Sequence, residues 1–469
     1  VRLVTPGTLK EETLLDAKSR NYLTAIFWPP ISQDRGLLDP RCSLGLASLD
    51  ISTGEMETGE ISSSDLSGEL MRLLPSEIIT TDALLIEKNF KDWAKGTKAA
   101  LTPVPSATFD SMSGETALKS QLAIKELISI GDFSRSELAA IGALLRYVNI
   151  TQIGKRPHLR PPKRINATSA LMIDAATRTS LELTQSTSGS KTDGCLLAAI
   201  DYTVTAAGAR ELSARLSNPQ RDLSLIEMRL DAVSYLVEEV SLREKIRKIL
   251  RSAPDIARSV SRLAFGRGGP RDLTALRDGL DAAENISSLH AKEDLSAELP
   301  QELKRIRSTL QKLDPKLLKE LKEAIIDNPP HLKREGNFIR DGYRETLDEA
   351  RRLKDDSRQI MAGLEAKYAE LTGVKNLKIR HNNILGFFIE VTQLNAKSLT
   401  SSPLDTVFRH RQTMANAMRF TTTELAQIEG KIASASERAL AIEQEIFQEL
   451  STLVALHEQI LASTASCLA

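Results

Sequence analysis

The chain has 469 residues, too many for one ordinary core and enough for about three domains. Its 62 basic and 62 acidic residues cancel, so a polyanionic partner cannot be argued from net charge and must be argued from local clusters. Three widely spaced cysteines (Cys42, Cys195, Cys467) in no CxxC or Cys/His pattern fit a reducing compartment and argue against disulfides or structural zinc.

No apolar run approaches the ~20 residues of a membrane span. The opening VRLVTPGT lacks both a signal-peptide layout and a starting methionine, and is read as the cut edge of a longer protein. Aromatics make up only 4%, while Leu, Ala, Glu, Arg and Lys abound, which favours helices with long exposed faces over a β-sandwich.

Residues 20 to about 130 read as mixed α/β. Asn21 to Trp28 is a short apolar run, Leu44 to Ile51 alternates as a strand, and Ser52-Thr53-Gly54 turns into a hairpin partner over Glu55 to Ile61. Glu69 to Leu74 reads as helix and Glu77 to Thr81 as strand, so a small sheet covered by helices is expected. TQIGKRPHLRPPKRI, residues 151–165, carries three prolines and five basic residues and reads as an exposed extended linker. From about 170 to 330 the pattern is helical, with Leu225, Met228, Leu230, Val233 and Leu236 near a 3.6 period.

The strongest periodicity comes last. Tyr343, Leu347, Ala350, Leu353, Ser357, Ile360, Leu364, Tyr368 and Leu371 form one stripe in steps of three and four. A second runs from Leu425 through Ile428, Ile432, Ala435, Ala439, Ile442, Ile446, Leu450, Leu453 and His457 to Ile460. Thr421 to Ala469 as one helix would extend ~70 Å, an arm. Between the stripes, NLKIRHNNILGFFIEV alternates about His381 to Gly386 as a hairpin. An antiparallel helix pair follows, leaving at Gly373, returning near Thr421, and carrying a small β unit at its far end.

That tip is basic. Lys375, Lys378, Arg380, Lys397, Arg409, Arg411 and Arg419 stand against Glu390 and Asp405, and His381 and His410 lie there too. Alternation puts Leu377 and Ile379 on one side and Lys378 and Arg380 on the other, a face suited to phosphate contact with little base specificity. The plainer reading is a sheet kept soluble by its cations. Phe387 and Phe388 allow base stacking, with at least one expected in the core. Chemistry alone therefore stops at a helical hairpin with a basic tip.

Several stretches, in order, resemble the MutS family. Val4-Thr5-Pro6-Gly7-Thr8 is similar to its VTPGT, and Leu49 to Gly54 (LDISTG) to the first hairpin of its connector. Asp174 to Leu183 resembles its DxxTxxxLEL run, followed by Thr205, Gly208, Arg210, Leu212, Leu216, Pro219, Asp222 and Arg229. Asp255-Ile256-Ala257-Arg258 and Pro270-Arg271-Asp272-Leu273 continue the pattern. In the tip, Asn382, Gly386 and Phe387 to Val391 resemble NxxxGYYIEV, and Arg411 to Phe420 resembles RQTLKNAERY, with Ala415 where many relatives carry lysine.

The resemblance covers essentially the whole chain and implies a multidomain α plus α/β fold. Its parts would be the end of a mismatch-recognition domain (1–18), an RNase-H-like α/β connector (19–150), an all-α core with the first lever (151–350), a small β clamp inserted between the levers (351–420) and the returning lever helix (421–469). It implies a DNA-clamping, signal-transmitting middle portion of a bacterial, cytoplasmic, nucleoid-associated protein. The implied partners are double-stranded DNA, a MutL-type matchmaker at the connector and a second MutS subunit, with no membrane. ATP and Mg belong to an ATPase domain outside this chain, which has no GxxxxGK[ST] and for which no cofactor, metal or catalytic residue is expected.

Backbone contact is expected from Lys378, Arg380, His381, Asn382, Arg409, Arg411, Gln412, Asn416 and Arg419. Three rivals are weighed, of which the MutS paralogue that bears its own nuclease is disfavoured by the VTPGT-plus-connector stretch, since it lacks the connector and mismatch domain. A nuclease built on Asp50 lacks the converging carboxylates of two-metal chemistry, and Asp50 reads better as a strand-end or turn residue. A helical scaffold docking proteins without binding DNA is disfavoured by the basic tip. Asp222, Arg229, Asp255 and Arg258 are read as helix caps and internal ion pairs.

Overall fold

A computed structural model describes residues 4–9, 14–33, 36–39, 41–152, 159–165, 170–188, 193–292, 299–382 and 385–469. They form two compact units, Val1–Leu321 with Ser451–Ala469, and Lys322–Leu450.

In the first unit, β1 (Tyr22–Phe27), β2 (Ser43–Asp50), β3 (Glu55–Ser62), β4 (Glu77–Thr80), β5 (Ala100–Pro103) and β6 (Lys163–Arg164) make one sheet ordered β5-β4-β1-β2-β3-β6. β1 to β3 pair antiparallel, β4 and β5 run parallel to β1, and β6 is parallel to β3. β1 sits between two neighbours and is covered on both faces, which is why it reads as a continuous apolar run. Leu23, Ala25, Leu49 and Met56 pack on one side with Ile141, Leu144 and Val148 of the helix Arg135–Thr151. Tyr22, Ile26, Leu44 and Leu46 pack on the other with Leu66, Leu70 and Phe90. The sheet covered by helices is thus as expected.

Ser134 starts the helix Arg135–Thr151 with a capping box: its hydroxyl accepts the Glu137 amide at 3.2 Å and the Glu137 carboxylate accepts the Ser134 amide at 2.7 Å. This helix meets Ser111–Leu122 backbone to backbone, since a Cβ on Gly114 would lie 2.0 Å from the Leu138 carbonyl oxygen.

The linker departs from expectation. Residues 153–158 lie outside the described set; of the rest, Pro161, Lys163 and Arg164 are exposed as read, but the segment also docks on the sheet. Leu159 is buried, the Arg160 amide donates to Gly54 O at 2.9 Å, and Lys163–Arg164 add β6. Arg164 reaches the fully buried Glu137 at 3.1 Å. The prolines keep the segment from folding on itself, and the open edge of β3 supplies its hydrogen-bond partners.

Helices fill the remainder of this unit. Asp222 caps Leu223–Glu238 by accepting from Ser224 N (2.9 Å), and Asp255 caps Ile256–Ala264 by accepting from Arg258 N (3.1 Å). Asp255 also pairs with Arg210 at 2.6 Å, and Arg258 donates to the carbonyls of Asp16 and Ser19. Arg229 is the exception to the expected role, because it forms no ion pair or cap among the described residues.

In the second unit the outgoing helix Glu345–Thr372 ends at Gly373, whose φ of 70° closes the last turn. The return helix Thr423–Leu456 runs beside it antiparallel. Lys367 pairs with Glu424 at 2.9 Å near the tip, and Arg351 with Glu443 and Arg344 with Glu449 further back. Leu347, Ala350, Leu364, Tyr368, Leu425, Ile446 and Leu450 of the stripes are buried, while Ile360 and Leu371 are exposed. The side chains of Leu353 and Ser357 lie outside the described set.

The single long arm over 421–469 is corrected. The helix stops at Leu456, about 51 Å long at 1.5 Å per residue, and a separate helix begins at Glu458. His457 sits at the break, with Nδ1 2.9 Å from Leu453 O and Nε2 3.5 Å from Asp314. No glycine or proline marks it.

Candidate nucleic-acid interface

The tip is a four-stranded antiparallel sheet ordered β7-β8-β10-β9, where β7 is Lys378–Asn382, β8 Gly386–Thr392, β9 Arg409–Thr413 and β10 Ala417–Thr421. Its inner face is apolar. Leu377, Ile389, Val391, Phe408 and Phe420 pack with Met361, Leu364 and Tyr368 of the outgoing helix and Leu425 of the return helix. Tyr368 lies edge-on to Phe408 and its hydroxyl meets Thr422 Oγ1 at 2.8 Å.

The hairpin at Asn382–Gly386 forms as read. Asn382 pairs with Gly386, and its Oδ1 accepts the Leu385 amide at 2.7 Å. Gly386 has φ 69°, and a Cβ there would also run into the Glu429 carboxylate, which accepts the Phe387 amide at 3.2 Å. Only glycine meets both conditions at no cost.

Alternation places Lys378, Arg380, Arg409, Gln412 and Arg419 on the outer face. Glu390 lies at its centre, 3.3 Å from Arg380 and 3.2 Å from Arg419. The Arg419 guanidinium stacks 4.3 Å over Phe388 and donates to Gln412 Oε1 at 2.9 Å. With its side chain 18% exposed, against 63% for Arg380, Arg419 is mostly committed to holding the face together. Phe388 is buried beneath it, so the ring stacks on a guanidinium instead of being open to a base.

His381 lies on the other side of β7, its ring 4.8 Å from Phe387, and His410 packs edge-on to Phe420 with Nε2 3.0 Å from Thr413 Oγ1. Strand β9 is exposed along its whole length. The register slips between Arg419 and Phe420, leaving Arg411 as the extra residue of a bulge. The side chains of Arg409 and Arg411 form no ion pair or hydrogen bond among the described residues, and the same is true of the side chains of Lys375, Lys397 and the exposed Asn416 in the β9–β10 turn.

Two acids that a count over residues 373–420 omits reach the tip from the helices. Glu365 accepts from Lys378 Nζ at 2.7 Å and from Ile379 N at 3.0 Å. Burial pushes the Glu365 carboxyl up, but the Lys378 ammonium and the Ile379 amide outweigh it and hold it below the usual carboxylate range. Glu429 is the second. Nothing in the tip's own sequence announces either, since both lie on helix faces that are read for apolar periodicity.

Asp50 is fully buried at the end of β2. It accepts from Asn21 N (3.3 Å), Ser52 N (2.8 Å) and Ser52 Oγ (2.6 Å), as a strand-end turn residue. Among the described residues no three His, Cys, Asp or Glu side chains converge as metal ligands, and no helix is long and apolar enough to cross a membrane.

A helix-covered mixed sheet, a helical body and a β tip borne on two long helices define a multidomain α plus α/β protein. Residues 21–160 match the family model described as MutS domain II, and residues 176–469 match MutS domain III. The chain belongs to the MutS family of DNA mismatch repair proteins, and carries its central domains. It is 46% identical over 454 residues to the DNA mismatch repair protein MutS of Rhodopseudomonas palustris (strain BisB5), covering 97% of this chain and 48% of that protein. It is 43% identical over 469 residues to that of Azorhizobium caulinodans (100% and 49%) and 45% identical over 455 residues to that of Nitrobacter hamburgensis (97% and 49%). The chain spans about half the length of the curated relatives it matches.

Proposed function

We propose that this chain is the DNA-clamping and signal-transmitting portion of a mismatch-repair protein, holding duplex DNA by backbone contacts at the tip and passing motion along the helix pair. The observation that carries the reading is the fully exposed strand β9, whose Arg409 and Arg411 face solvent with no carboxylate partner among the described residues. Cations free of internal partners are the ones able to displace counterions from phosphate. Gln412 and Asn416 would donate without charge, and Lys378, Arg380, His381 and Asn382 would flank them. Arg419 would act chiefly by positioning Gln412 and Glu390.

In this reading 19–150 is an RNase-H-like connector that docks a MutL-type matchmaker, 151–350 the core and first lever, 351–420 the clamp and 421–469 the returning lever, preceded at 1–18 by the end of a mismatch-recognition domain. ATP, Mg and hydrolysis are assigned to the remainder of the full-length protein, together with mismatch discrimination and pairing with a second MutS subunit. No catalytic residue and no cofactor is assigned to this chain, and the setting is the bacterial cytoplasm and nucleoid.

Fluorescence anisotropy on homoduplex and single-mismatch DNA across a salt series tests the proposal, beside an Arg409→Glu/Arg411→Glu variant. Binding should be blind to the mismatch and fall more than about tenfold in the variant. Each phosphate contact contributes about −0.9 to the salt slope, so the four partnerless cations set a slope between about −2 and −4, against about −6 for all seven. Equal binding by variant and wild type, or none at low salt, would leave the protein-docking scaffold as the better account.

A further inference from the structure

A cavity of about 200 Å³ opens in the first unit where the sheet meets the helices. Seven of its lining side chains are cationic and only Glu55 and Glu211 are acidic. Those two are already shared. Glu55 pairs with Arg20 at 3.1 Å and Arg160 at 3.3 Å, and Glu211 with Arg215 at 2.8 Å and Arg20 at 3.7 Å. Arg210 leans on Asp255 at 2.6 Å and Arg305 on Glu302 at 2.8 Å, both acids lying outside the lining.

Arg229 and Lys163 remain. Neither side chain forms an ion pair or hydrogen bond among the described residues, and the Arg160 Nε is buried without a partner. Burial first, and then the neighbouring Arg215, draw the Arg229 guanidinium below the ordinary arginine value, with Glu211 and Glu302 only partly offsetting them. An anion placed here would relieve like-charge repulsion instead of creating it.

We infer that this cavity is a binding site for a compact polyanion of the phosphate class, such as pyrophosphate or the end of a polyphosphate chain. Guanidinium forks suit phosphoryl oxygens two at a time. Size and lining suit a phosphate group and not a base. The volume is below the roughly 300–1,000 Å³ of ordinary small-molecule pockets, and no aromatic ring lines it to stack a base. Thr53 and Ser466 also line it, but their hydroxyls already donate to Asp50 O and Ala462 O, so the cations are its donors. Because Arg160 and Lys163 approach from the sheet side and Arg215 and Arg229 from the helices, a bound anion braces the two against each other.

Isothermal titration with inorganic pyrophosphate at fixed ionic strength, beside sulfate, tests the inference, with thermal unfolding as a second readout. One site is expected, with a melting temperature that rises with pyrophosphate. An Arg229→Gln/Lys163→Gln variant should bind about tenfold or more weakly, and it disturbs no internal bond, because neither side chain has one. Ser466→Asp, which sets a carboxylate in the cavity, should weaken binding likewise. Arg409→Glu/Arg411→Glu should bind like wild type. Absence of binding, equal affinity for sulfate, or loss only in the tip variant would overturn the assignment.

Discussion

Asp50 shows what one residue's surroundings do that its neighbours in sequence do not announce. Its place before Ser52-Thr53-Gly54 marks a turn, and the structure has it accepting three hydrogen bonds there. Its burial is a tertiary fact. Desolvation raises the Asp50 carboxyl above its usual range, with Ser52, Arg258 and Asn21 offsetting only part. A raised folded pKa means that its contribution to stability is complete below the unfolded carboxylate value and is lost as pH rises through the folded one. Asp50→Asn should therefore gain on wild type as pH is raised from about 4, the unfolded carboxylate value, as read by urea midpoints at each pH. A constant difference across that range would show that Asp50 does not titrate abnormally. Arg419 makes the complementary point, since a count treats it as one more free cation while Glu390, Gln412 and Phe388 hold it in place.

At the scale of elements, what was legible was what local backbone chemistry dictates. The stop at Gly373, the hairpin closed by Gly386 and the two apolar stripes follow from φ preferences and helical periodicity, and all three are present. The break at His457 is different. The stripe passes through it in register, so the reason lies in what the flanking helices pack against and not in a breaker residue. The basic linker is a second case, read as exposed because its composition is polar, yet paired to β3 because that edge was open. Along the return helix, Ile446 is fully buried. Ile446→Ala should cost about 2–5 kcal/mol in chemical denaturation while leaving DNA affinity unchanged at low temperature. A loss under about 1 kcal/mol would mean that the helix pair collapses around the cavity or is not held there.

At the scale of the molecule, two compact units each with its own core predict unfolding that is not two-state. Calorimetry should resolve two transitions, with Ile446→Ala lowering one and Leu23→Ala, in the sheet core, lowering the other. Coincident shifts in both would show a single cooperative unit. By itself the sequence determined the order of α/β, helical and tip regions, the turn positions and the family, because periodicity and turn chemistry act over a few residues and motif order survives without coordinates. Only the tertiary structure decided which cations are free at the tip and that a second group of them lines a cavity, because Lys378 with Glu365 and Arg20 with Glu211 are brought together by packing. Charge pairing falls off within a few ångströms, so its outcome depends on folded distances that no local pattern encodes.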